Sequence, residues 1–144
     1  MRVLYVLGLV LLIANFLLGV VVNLFVTIPA HHPGSRGSDY FSQSEQSVTW
    51  AFGNASPWLQ MHIGLSVVIA ALGVILAIAA IVTFRGRLIV ASLLGLIGIV
   101  AAGFNGASFL DFNLDISSLV MSCGLALAFL AYLGGLLATT STTR

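Results

Sequence analysis

Lysine is missing altogether from this 144-residue sequence, and five arginines and four acidic residues supply all of its side-chain formal charge. Charged residues make up 6% of the chain, against about a quarter in an ordinary soluble domain, too few to hold its surface in water. With no basic block, a nucleic-acid partner has no electrostatic footprint to rest on. The single cysteine, Cys123, excludes an intrachain disulfide and a multi-cysteine metal cluster, and it leaves the redox compartment unread. A glycine-rich phosphate loop, a nucleophile elbow, a zinc-protease helix and paired carboxylates in a cleft are also absent. His62 and Ser66 stand one helical turn apart and could be imagined as part of a triad with an outer aspartate. Serine one turn from a histidine on an apolar helix is better explained by packing, so the sequence points away from an enzyme.

What the chain has instead is apolar length. Hydrophobic residues make up 60% of it, the mean hydropathy is +1.15, and nearly all the charges fall outside four long runs. The expected fold is an all-α integral membrane protein, a single four-helix transmembrane domain over residues 1–144. Its helices are expected at about 3–28, 57–84, 88–109 and 116–138, with an outer loop at 29–56. The first run spans 26 uncharged residues, enough at about 1.5 Å per residue to cross a hydrocarbon core of roughly 30 Å with tilt. A cleaved signal peptide is the alternative for this run, with Arg2 as its basic start. Secretory apolar cores run only about 7 to 15 residues, which favours the membrane helix. Ser56 and Pro57 suit the cap and first position of the second run. Arg85, Gly86 and Arg87 read as the turn to the third run, and the link 110–115 leads into the fourth with Asp115 as its cap.

Four passes sort the charges. Arg2, Arg85, Arg87 and Arg144 fall on one side, while Asp39, Glu45, Asp111, Asp115 and Arg36 fall on the other. The arginine-rich side is normally cytoplasmic, so in a multi-pass protein of the cell membrane both termini are expected on the cytoplasmic side and the loop 29–56 outside. Within that loop Ser42 and Glu45 match the capping-box spacing, which predicts a short helix lying at the interface. Trp50, Trp58, Tyr40 and Phe52 would form its aromatic belt, and Asn54 and Ser56 match a glycosylation sequon that Ser56 explains better as a helix cap.

Polar and small residues inside the runs suggest how the helices meet. Asn15, Gly19, Asn23 and Thr27 make a stripe on the first helix. His62, Ser66, Ala70, Gly73 and Ala77 make one on the second, Gly95, Gly98, Ala102 and Gly106 on the third, and Ser117, Met121, Gly124, Ala128 and Gly135 on the fourth. Small faces let backbones approach, which drives association where lipid removes the hydrophobic effect. Asn15, Asn23, Asn105 and Ser108 are expected in the polar interior of the bundle. Gly103 and Gly106 are expected to loosen the outer end of the third helix. No ionisable residue sits mid-membrane, which weakens any case for a pump.

The functional expectation is a small non-enzymatic membrane protein, an accessory or interaction subunit whose partners are the lipid bilayer and other membrane subunits or its own copies. The alternative is a site at the outer rim for a haem, a divalent metal or a quinone, with His31, His32, His62, Asp111 and Asp115 as candidate ligands. No bound cofactor is the simpler expectation. A small-solute carrier acting as an oligomer is the third reading.

Overall fold

A computed structural model describes residues 1–29 and 38–140, and in it the chain forms five helices with no strand among the described residues. They are α1 (Arg2–Phe25), α2 (Tyr40–Asn54), α3 (Pro57–Val82), α4 (Gly86–Phe112) and α5 (Asp115–Thr140). All except α2 are long and apolar enough to cross a bilayer. At about 1.5 Å per residue each spans roughly 36 to 40 Å, which fits a hydrocarbon core with its interfaces. A third or less of each span is buried inside the protein, so most of the apolar surface points outward, as it does when lipid is the solvent.

Local chemistry sets the ends. Helix α1 stops at Phe25 rather than near residue 28, and Val26 is already extended at φ −116° and ψ 117°. Pro29 then pushes the residue before it out of the helical region. The α2 start expected at Ser42 lies one turn earlier, because Asp39 is the cap: its carboxylate accepts from the backbone N–H groups of Phe41 and Ser42, both at 3.1 Å. Ser56 caps α3, with Pro57 in its first turn, as its sequence suggests. The turn into α4 is Thr83, Phe84 and Arg85, not 85–87. Thr83 donates to the Ala80 carbonyl at 2.7 Å and Phe84 takes a left-handed φ of 53°. Gly86 and Arg87 therefore belong to the first turn of α4.

The largest departure is at the far end of α4. The helix continues three residues past the expected 109, through Gly103 and Gly106 without a break, so Asp111 is helical rather than part of a link. Asn113 closes it in the left-handed conformation, which asparagine tolerates, and its N–H reaches the Phe109 carbonyl at 2.8 Å. Asp115 is the first residue of α5, an exposed acid in its first turn.

The long helices touch in the cyclic order α1, α3, α4, α5, with α4 against α5 the most extensive contact, and α2 lies over α3 and α4. Two tyrosines fill the centre. Tyr132 of α5 is 1% exposed and lies against Gly8 of α1, Gly73 of α3 and Gly95 of α4, so one ring contacts the other three long helices where they carry no side chain. Tyr5 of α1 packs edge-on against it, with ring centroids 5.9 Å apart, and occupies the space that Gly135 leaves on α5. The α4–α5 crossing is closer still. A Cβ on Gly98 would lie 2.5 Å from the Gly124 carbonyl, and one on Gly124 would lie 2.6 Å from the Gly98 carbonyl. Backbone meets backbone there, and no flexible side chain can move aside.

Tyr5 also fixes which ends coincide. Its hydroxyl donates to the Leu88 carbonyl at 3.1 Å and shares a 2.7 Å hydrogen bond with the buried Ser92. The start of α1 is thereby held to the start of α4, which gathers Arg2, Arg85 and Arg87 at one end of the molecule. Asp39, Glu45, Asp111 and Asp115 stand at the other, around α2. Arg36 and Arg144 lie outside the described residues.

Candidate functional site

Polar side chains inside the apolar helices collect in two places away from the tyrosines. The first joins α1 to α3. Asn15 Nδ2 donates to Ser66 Oγ at 2.9 Å, and Ser66 Oγ donates to the His62 carbonyl of its own helix at 2.8 Å. His62 Nδ1 stands 3.2 Å from the Asn15 backbone carbonyl. A carbonyl only accepts, so this bond requires the proton on Nδ1, which in a neutral ring puts the lone pair on Nε2. Gly19 makes the approach feasible, since a Cβ there would lie 3.1 Å from His62 Cε1. Two residues one turn apart on α1 thus receive two residues one turn apart on α3.

The second place lies beneath α2. Ser44, Ser47 and Ala51 follow one face of α2, and all three are buried. Ser47 Oγ donates to Asp111 Oδ1 at 3.0 Å. Asp111 is 4% exposed, its Oδ2 is buried with no hydrogen-bond partner, and Ser44 Oγ is likewise buried and unpartnered. One turn earlier on α4, the buried Ser108 shares a 3.2 Å hydrogen bond with the buried Ser117 of α5. Below this seam Val22, Ala51, Leu59 and Leu110 form a small apolar cluster that anchors α2. At its edge Tyr40 stacks on Phe112 with centroids 5.3 Å apart and leans on Phe104 and Phe41.

The sequence-derived candidates separate accordingly. His62 faces α1, Asp111 faces α2, and Asp115 is exposed. His31 and His32 lie outside the described residues, and among the described residues no three His, Cys, Asp or Glu side chains gather as a metal-holding group. Of the four expected interior polar residues, Asn15 and Ser108 bond across helices. Asn105 turns back to the Ala101 carbonyl of its own helix at 2.9 Å, and Asn23 is exposed, because α1 rotates that face outward beyond Gly19. Thr27 is past the helix end. In the expected belt Trp58, Phe52 and Tyr40 are exposed, and Tyr40 also stacks on Phe112. Asn54 donates to the Trp50 carbonyl at 3.0 Å.

Sequence reasoning missed two features, the tyrosine pair and the burial of Asp111. A signal for the first was present in the glycines, whose spacing marks where a bulky side chain must come from a neighbouring helix. For the second, Ser44 and Ser47 at helical spacing within a polar loop carried the pattern of a buried face. An open groove of about 470 Å³ between the start of α4 and the end of α5 is lined by Arg87, Val90, Leu94, Leu130 and Ala131. The chain matches no known family model, no curated protein and no solved structure.

Proposed function

We propose that this chain is a four-helix transmembrane bundle with both termini in the cytoplasm and α2 lying at the outer interface, and that it acts as a non-enzymatic accessory or interaction subunit of a membrane assembly. The orientation is supported by the gathering of Arg2, Arg85 and Arg87 at one end, since arginine-rich ends stay on the cytoplasmic side. One observation carries the functional reading: Tyr132 fills the point where all four long helices meet. A carrier needs a central path that opens and closes, and a ring locked between glycines of three other helices leaves none at that level. Function then falls to the outward faces, where Val3, Phe16, Leu24, Ile78 and Leu130 among others are exposed to lipid or to another apolar helix. Blue-native electrophoresis after gentle solubilisation tests this: the reading expects a discrete, stoichiometric assembly, and a chain that runs as a lone monomer in every mild detergent contradicts it.

His62 supports a second reading, a ligand at the outer rim. Metal-bound histidines ordinarily donate their other ring N–H to a carbonyl or carboxylate, and the bond from Nδ1 to the Asn15 carbonyl has that form. An absorption spectrum and metal analysis of the purified chain decide it. A stoichiometric haem or metal lost in His62→Ala supports the ligand, and a colourless, metal-free protein removes it.

A further inference from the structure

The Asp111 carboxyl stands in surroundings that its described neighbours do not balance. It is buried in the last turn of α4, where the partial negative charge of the helix dipole already lies, and that turn carries no basic residue. The described arginines are at the opposite end of the molecule. Ser47 supplies the carboxyl's hydrogen bond, on Oδ1, while Oδ2 is buried without a partner. A buried carboxylate with an orphan oxygen is destabilising unless something positive or protic meets it. A buried polar group left unpaired in a folded protein calls for a physical reason, and a bound ion is one of the recognised ones. Ser44 Oγ, one turn from Ser47 on the same buried side of α2, is buried without a partner too. Ser108 and Ser117 add neutral hydroxyls one turn along α4.

We propose that Asp111, with the Ser44 and Ser47 hydroxyls, binds a monovalent cation of sodium's class between α2 and α4. The donor set decides the charge. Hard cations take oxygen ligands, and divalent ions recruit several carboxylates or keep a shell of water, whereas one carboxylate amid neutral hydroxyls balances a single positive charge. Helix C-terminal ends, whose dipole favours a cation, contribute to sodium coordination in membrane transporters, and Asp111 stands in the last turn of α4. The bound ion draws α2 onto α4 by joining oxygens from both. This inference does not depend on which side of the membrane the seam faces.

The test is equilibrium binding of radioactive sodium to the full chain in detergent, with choline replacing sodium at constant ionic strength, alongside the thermal midpoint in the two salts. Saturable binding of one ion per chain is expected, with a higher midpoint in sodium. Asp111→Asn should abolish both effects while keeping the fold, because the amide matches the carboxyl in shape and carries no charge. Ser44→Ala, which leaves the carboxyl in place, should weaken binding about tenfold, the usual consequence of losing one good polar contact. Absence of saturable sodium binding in the wild type overturns the proposal. So does equal binding in Asp111→Asn. A wild type indifferent to sodium whose Asp111→Asn variant is more stable also overturns it.

Discussion

Two tyrosines at the centre of the molecule differ by one hydroxyl environment, and that difference predicts opposite outcomes for the same substitution. Tyr5 bonds the Leu88 carbonyl and Ser92, so Tyr5→Phe should destabilise by about 1 to 2 kcal/mol and leave the buried Ser92 hydroxyl unpaired. Tyr132 has a buried hydroxyl with no partner, so Tyr132→Phe should be neutral or slightly stabilising. Unfolding titrations in mixed micelles compare the two, and equal losses would show that the hydroxyl environments are misassigned. Glycines give the complementary prediction. Gly98→Leu and Gly124→Leu each place a side chain against backbone and should cost about 1 to 3 kcal/mol, the usual range for overpacking, or more where neither helix can shift. Val90→Leu, at an exposed position, should cost little in the same assay. The small-residue stripes at 95–106 and 117–135 could be read from the sequence because spacing alone places them on one face. Which glycine meets a ring and which meets a backbone could not, since that depends on the crossing geometry of two helices.

At the scale of single helices, the apolar runs were legible and their ends were not. Run length follows from hydrophobicity, which lipid imposes on every residue of a span, whereas an end depends on one cap or one dihedral. Helix α2 shows the contrast. Ser42 and Glu45 have capping-box spacing, yet Asp39 holds the first N–H groups, because a carboxylate accepts more strongly than a hydroxyl and complements the positive end of the helix. Asp39→Ala should therefore fray the first turn of α2 and cost about 1 kcal/mol. Replacing Ser42 with alanine should leave it nearly unchanged. Amide exchange at residues 41–44 reads the difference, and protection lost in the serine variant instead would restore the capping box. Helix α4 shows the converse. Gly103 and Gly106 suggested a loosened end, but the helix runs on to Phe112, and Tyr40 stacked on Phe112 with Ser47 bonded to Asp111 secures that extra turn. Tertiary contacts outweigh the helix propensity of glycine, a penalty of about 1 kcal/mol per residue.

For the whole molecule, the four apolar spans and the separation of charges follow from the sequence, because both are imposed by the solvent rather than by packing. The closure of the helices into the order α1, α3, α4, α5 around Tyr5 and Tyr132, and the seam beneath α2, come from long-range contacts that no local pattern announces. The central claim is that the arginine-bearing end faces the cytoplasm, with an even number of crossings. Replacing exposed Cys123 with serine gives a background for single cysteines at Ser38, Gly86 and Asn113. Treating intact cells with a membrane-impermeant maleimide is the direct measurement. The account predicts labelling at positions 38 and 113 from outside, and at position 86 only after the membrane is opened. Labelling of position 86 in intact cells, with 38 and 113 protected, would contradict it.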